Sequence, residues 1–201
     1  MHLRLTARAG VQCRASLLES LLRLAAAPRR AALKTKLLEA ARPTVLGALA
    51  TPAERQAIDK TAAALERLQP DAVVFPQVAG LWTLVYTTEQ DVHACARLPG
   101  GFWVAASQEL DMDGRMVTNT VDVSPVLRLT AVAPATLVPP RRVEYRFSLL
   151  RVALFGDTLR FGVPLARLGI QPGGWSDTTF VDEDTRIARN SRGDLLLLQR
   201  E

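Results

Sequence analysis

Gly80-Leu81-Trp82-Thr83-Leu84-Val85-Tyr86-Thr87-Thr88 is the stretch from which the fold class is read. β-branched and aromatic residues dominate it, with Trp82, Leu84 and Tyr86 on one face and Thr83, Val85 and Thr87 on the other, the period of a strand. Runs of the same character follow at Phe102 to Ala106, Met116 to Val123, Val126 to Val132, Val143 to Val152, Thr158 to Val163, Thr178 to Val181 and Leu195 to Gln199. Turn residues separate them: Pro99-Gly100-Gly101, Asp113-Gly114, Pro139-Pro140, Gly156-Asp157, Gln171-Pro172-Gly173-Gly174 and Arg192-Gly193-Asp194. Many short strands at this spacing imply a sandwich or a barrel. The cleanest alternation sets Val143, Tyr145, Phe147 and Leu149 inward against Arg142, Glu144, Arg146 and Ser148 outward. A sheet with one wet face covers either a core or a cargo with the other.

Upstream of these strands the period is helical. Leu33, Leu37, Leu38 and Ala41 recur at three- and four-residue intervals from Ala31, and Pro43 ends or interrupts that helix. Thr51-Pro52 with Glu54 forms a capping box with proline at the first helical position. Ala57, Ile58, Thr61, Ala64, Leu65 and Leu68 continue the apolar stripe until Gln69-Pro70-Asp71 stops it. The class is mainly β (α+β), with two short N-terminal helices ahead of an antiparallel sheet.

At 201 residues with 48% hydrophobic and 22% charged residues, the chain has material for one domain plus an extension. Its net charge of +5 is concentrated at the front, where residues 1 to 42 hold nine Lys/Arg against Glu19 and Glu39. The remainder carries 16 basic and 18 acidic residues. That body lacks the positive charge on which phosphate binding depends, which argues against a nucleic-acid partner.

Met1 to Leu18 contains no acid and spaces arginines singly among Ala, Leu and Val, the composition of an organelle transit peptide. The apolar runs of residues 1–30 are cut by Arg and Pro well short of the ~20 residues of a spanning helix. Val11-Gln12-Cys13-Arg14-Ala15 is similar to algal chloroplast processing sites. Residues 1–30 are therefore expected to be a chloroplast transit peptide. A retained basic amphipathic helix is the other reading of the same residues.

No catalytic constellation is evident. His2, His93, Cys13 and Cys95 do not gather at metal-ligand spacing, so neither a metal nor a cofactor is expected, and His93 and Cys95 read as ordinary residues of a loop between strands. Ser107, Ser124 and Ser176 lack a nucleophile-elbow setting, and Gly173-Gly174 reads as a turn, not a phosphate loop. Asp182, Glu183 and Asp184 have no partner base or ligand set, and read as structural carboxylates pairing Arg186 or Arg189 and capping a turn.

Several blocks resemble one family along nearly the whole body. Lys34-Thr35-Lys36-Leu37-Leu38-Glu39-Ala40 resembles the first helix of the plastid lipid-associated (PAP/fibrillin) proteins, and Ile58, Leu65-Glu66 and Pro70 resemble the second. Gly80 to Thr88 is similar to their G-x-W-x-L-x-Y-T-T block, and Gln108-Glu109-Leu110-Asp111 with Asn119 and Val121 follows the next signature. Thr179 to Arg189, followed by Gly193-Asp194-Leu195, looks like their acidic-arginine terminus. Arg42-Pro43-Thr44-Val45-Leu46-Gly47 stands where the family usually has an Arg-Gly pair, and Phe180 and Thr185 replace its Tyr and Leu.

The resemblance implies a lipocalin-like barrel over 76–201, after a helical part over 31–70, and a non-enzymatic chloroplast protein of plastoglobules or thylakoids. It implies small apolar ligands (carotenoid, quinone or acyl lipid) and a peripheral lipid surface. The alternatives are a partner protein docking on isoprenoid or quinone-pathway enzymes and, third, an enzyme acting on a lipid. For barrel closure it implies Gly80, with Trp82 near the start of the first strand under an arginine, for which Arg186 is the candidate. A plain core aromatic is the other role open to Trp82. Candidate pocket residues are Trp82, Leu84, Tyr86, Val104, Tyr145, Phe147 and Phe161; Val143 points inward with them. Such side chains either fill a small barrel or surround one apolar ligand. Phe102 and Trp103, after Pro99-Gly100-Gly101, are expected at a loop tip that meets lipid, or in the core.

Overall fold

Among the described residues, ten antiparallel strands form one sheet in the order β3-β2-β1-β10-β9-β8-β5-β4-β6-β7, and a further β3–β4 pairing closes eight of them into a barrel. The computed structural model describes residues 25–201 apart from 70–72, 74, 99–103, 112, 157 and 170–172. The strands are β1 (Gly80–Thr87), β2 (Ala105–Asp111), β3 (Met116–Ser124), β4 (Leu127–Val138), β5 (Arg142–Arg146), β6 (Leu149–Leu154), β7 (Leu159–Pro164), β8 (Gly173–Val181), β9 (Thr185–Asn190) and β10 (Leu195–Arg200). Helix α1 covers residues 25–41, α2 is Pro52–Glu66, α3 is Phe75–Val78 and α4 is Gln90–Ala96.

The strand β10 shows why the sheet is buried twice. Leu196 and Leu198 belong to the cluster inside the barrel, with Trp82, Leu84, Val143 and Phe147. Leu195 and Leu197 belong to a second cluster outside it, with Leu37, Leu38 and Ala41 of α1 and Ile58, Ala62 and Leu65 of α2. Four consecutive buried leucines are the signature of a strand covered on both faces. Thr51 Oγ1 accepts from the Glu54 amide while the Glu54 carboxylate accepts from the Thr51 amide, so α2 starts with a formed capping box.

Several expectations are corrected. Helix α1 covers residues 25–41 and so begins before Ala31, from which the helical period is read. His93 and Cys95 lie on α4 and not in a loop; His93 is fully buried, with Nε2–H donating to the carbonyls of Thr87 (2.9 Å) and Leu46 (3.2 Å). The run expected at Phe102 to Ala106 begins as β2 only at Ala105, and Phe102 and Trp103 lie outside the described residues. Residues 185–190, which are not among the expected strand runs, form β9 between β10 and β8.

The single strand expected over Val143 to Val152 is two. β4 is long enough to hold β6 along Leu127–Ala131 and β5 along Ala135–Val138 on the same edge. Pro134 sits at the handover. The Ala135 amide donates toward β3, to Arg115 O, so the Pro134 nitrogen faces the edge shared by β5 and β6, where the ladder is interrupted and no donor is needed. The chain bends at Phe147-Ser148, β5 continues the wall through β8, and β6–β7 splays off beside it. Leu149, expected inward, is 39% exposed on this splayed hairpin.

Gly173-Gly174, expected as a turn, opens β8. A Cβ at Gly174 would lie 2.5 Å from Ser191 Oγ, so a side chain there would have to turn that hydroxyl aside where β8 approaches the β9–β10 turn.

Candidate functional site

A cavity of about 410 Å³ occupies the end of the barrel where β6–β7 splays away. Its apolar wall includes Leu84, Val92, Phe147, Leu150, Leu165 and Leu198. Its size falls in the range of roughly 300–1,000 Å³ usual for small-molecule sites. A second hollow of about 540 Å³ lies outside the barrel among Glu66, Arg141, Arg142 and Asp177. Ion-paired side chains line it, with Arg142 chelating Asp177 at 2.8 and 3.1 Å, so it is not an apolar site.

The floor is built on Trp82. Its indole is fully buried and donates from Nε1 to Val78 O at 2.8 Å. Two guanidiniums meet the ring: Arg200 at 4.2 Å from the centroid and Arg186 at 5.8 Å. Arg200 is thus the nearer partner, a residue that the sequence did not single out. It also donates to Ala79 O (2.9 Å), Gln77 O (2.7 Å) and Glu183 O (3.0 Å), tying the end of β10 to the entrance of β1. Gly80, at φ +112°, adopts a conformation that disfavours a side chain, and a Cβ there would sit 3.1 Å from Arg200 Nη1.

Arg186 is fully buried beneath the cavity. Its Nε donates to Thr178 Oγ1 (3.2 Å) and its Nη2 to Gln108 Oε1 (2.8 Å), while Nη1 has no hydrogen-bond partner among the described residues. Desolvation brings its pKa down to about 9, so it stays charged at neutral pH. Gln108 in turn donates from Nε2 to Asn119 Oδ1 at 3.0 Å.

At the opposite end, Glu89, just before α4, and Asp91 of α4 meet Arg192 of the β9–β10 turn at 3.3 and 2.7 Å. Arg192 also reaches Asp194 at 3.3 Å. Burial raises the Glu89 carboxyl, with Arg192 opposing that shift. Burial also pushes the Tyr145 phenol up to about 12, so it remains a protonated donor.

The sequence candidates divide as follows. Leu84, Tyr145 and Phe147 line the cavity, and Trp82 lies under it. Val104 is half-buried against the inner cluster but is not part of the lining. Tyr86 is outside the barrel, packed with α1 and α2, because β1 carries a bulge: Leu84 pairs Leu198 but Tyr86 pairs Leu197, so the strand changes face between them. Phe161 is 46% exposed on β7. The carboxylates Asp182 and Asp184 pair with Lys34 of α1 (2.9 and 2.7 Å), not with Arg186 or Arg189, and Asp182 Oδ1 caps the turn by accepting from the Asp184 and Thr185 amides. Arg189 pairs instead with Glu66 and Asp59 of α2. Gln108, Asn119, Ser176, Asn190 and Arg192 were not anticipated as lining. Inward polar side chains on alternating strands are legible once the register is known.

A closed antiparallel barrel with a Gly-x-Trp start, arginines stacked on the tryptophan and an apolar end cavity is a lipocalin-like architecture. The PAP_fibrillin family model matches residues 31–199, and the chain belongs to that family. It is 26% identical over 126 residues to a probable plastid-lipid-associated protein 11, chloroplastic, of Arabidopsis thaliana. That similarity covers 61% of this chain and 56% of the relative, so it spans little more than half of the relative's length. No solved structure matches the chain.

Proposed function

We propose that this protein holds one small apolar molecule, a carotenoid, quinone or acyl lipid, in the end cavity of its barrel, and works without catalysis at a plastoglobule or thylakoid surface of the chloroplast. The observation that carries the reading is the cavity itself: about 410 Å³ with an apolar wall, in a barrel whose other end is filled by side chains. Membership of a plastid lipid-associated family supports the class of cargo, and the chloroplastic relative supports the compartment.

The hairpin β6–β7 supports contact with a lipid surface. Val152 opposes Phe161 and Leu154 opposes Leu159 on one face, which continues the face of the cavity-lining Leu150. Leu127 and Leu129 of β4 extend the same face by pairing with Leu154 and Val152. The other face carries Arg151 and Arg160. Phe155 at the tip is 64% exposed, Leu159 52% and Phe161 46%. An apolar ladder that leads from the exposed tip into the cavity, with arginines on its reverse, suits a hairpin lying in a lipid interface.

Native mass spectrometry with lipid extraction, on protein recovered from a plastid-bearing host, tests the reading. One carotenoid, quinone or acyl lipid per chain is the expected result. A protein recovered empty, and left empty after exposure to plastid lipid extract, refutes cargo binding.

A further inference from the structure

The floor of the cavity is polar in one sense only. Arginine has donors and no acceptor, so the Arg186–Gln108 bond fixes the glutamine with its oxygen toward the guanidinium and its NH2 toward Asn119. Gln108 Nε2 donates to Asn119 Oδ1, which leaves the Asn119 NH2 as the group offered to the cavity that it lines. One further donor borders the same space: the Tyr145 phenol stays protonated and lies close enough to Arg186 to interact with its charge. Ser176, whose Oγ makes no hydrogen bond among the described residues, pairs with Asn190 and stands nearer the rim.

Charge runs the same way. Among the described residues no carboxylate forms an ion pair with Arg186, whose only hydrogen-bond partners are the neutral Thr178 and Gln108. A fully buried cation without a counter-charge carries a large desolvation penalty, which a nearby anion relieves. The rim is opposite in sign: Glu89, Asp91 and Asp194 share Arg192. Arg186 and Asn190 mark the two ends of this gradient, four residues or about 13 Å apart along β9.

We infer that the cavity takes an amphiphile with an aliphatic tail and a single anionic acceptor head, a long-chain carboxylate, bound head-inward on Asn119 and Tyr145 above the Arg186–Gln108 relay, with the tail toward β6–β7. The inference rests on the cavity being a ligand site and adds the chemistry and direction of the ligand. Asn119 and Tyr145 recognise the head. Arg186 acts through Gln108 as a positioning residue.

The test is calorimetric titration of the full chain with dodecanoate, methyl dodecanoate and dodecane-1-ol at neutral pH. One dodecanoate per chain is expected, bound about tenfold tighter than the ester, the increment of a charge-assisted hydrogen bond over a neutral one. Asn119→Leu and Tyr145→Phe each shrink that preference to about twofold or less. Carboxyl-labelled dodecanoate, followed by 13C NMR, stays ionised as pH falls through the ordinary carboxylate range. Equal affinity for acid and ester overturns the inference and leaves an apolar-cargo cavity. A preference for the acid that neither substitution changes overturns the assigned head site. Binding of none of the three overturns the inference and the proposed cargo reading together.

Discussion

Truncating Trp82 to alanine should cost about 3–5 kcal/mol of folding free energy, the usual range for a large aromatic removed from a core. The side chain is fully buried, and a tryptophan takes roughly 150–250 Å² out of water. At about 25 cal/mol per Å² that is about 4–6 kcal/mol of transfer, an upper bound because the denatured chain already hides part of it. The substitution also orphans Val78 O and removes the ring on which Arg200 stacks at 4.2 Å. Trp82→Phe keeps most of the area but loses the indole N–H, so about 1–2 kcal/mol is expected for it. Urea denaturation followed by far-UV circular dichroism reads both, free of the lost indole fluorescence. With a slope near 2 kcal/mol per M, Trp82→Ala should move the midpoint down by about 1.5–2.5 M. A Trp82→Ala protein within about 1 kcal/mol of its parent would refute the argument that this residue and its arginines close the barrel floor.

Gly47→Ala should destabilise by about 1–3 kcal/mol in the same denaturation assay: φ is +91° and a Cβ would come 2.3 Å from Thr87 O, where backbone must shift. The Arg142 hydrogen bonds hold the Asp177 carboxyl below its ordinary 3.8, as the Lys34 bond does for Asp184. Both groups have lower pKa values folded than unfolded, so their stabilisation is present above about pH 4 and is lost as pH falls through the depressed values. Melting temperatures across pH 2 to 7 should therefore fall less steeply at the acid end for Asp177→Asn than for the parent. Phe155→Ser with Phe161→Ser should reduce sedimentation with anionic lipid vesicles at least fivefold and leave the melting temperature within about 2 °C, since both rings are exposed. Unchanged vesicle binding removes the hairpin from the lipid-contact argument.

Local signals were enough for much of this. The alternation in Gly80 to Thr87 marked β1, the Thr51-Pro52 and Glu54 signal marked the start of α2, and the apolar run Leu195 to Gln199 marked β10, because each is written in neighbouring residues. The family resemblance held over residues 31–199 for the same reason, since its blocks are contiguous. The tertiary structure decided what depends on pairing. A bulge opposite Leu197 and Leu198 turned Tyr86 out of the barrel, and period-two counting has no means to register an extra residue. The handover at Pro134 split one expected strand into β5 and β6, and so opened the end of the barrel that holds the cavity. Arg200 drew no notice in the sequence, and Gln108 and Asn119 stood out there only within a family signature, with no role attached. They become a floor because strands far apart in the chain bring them within hydrogen-bond distance of one another or of a buried charge, and only closure of the sheet sets those distances.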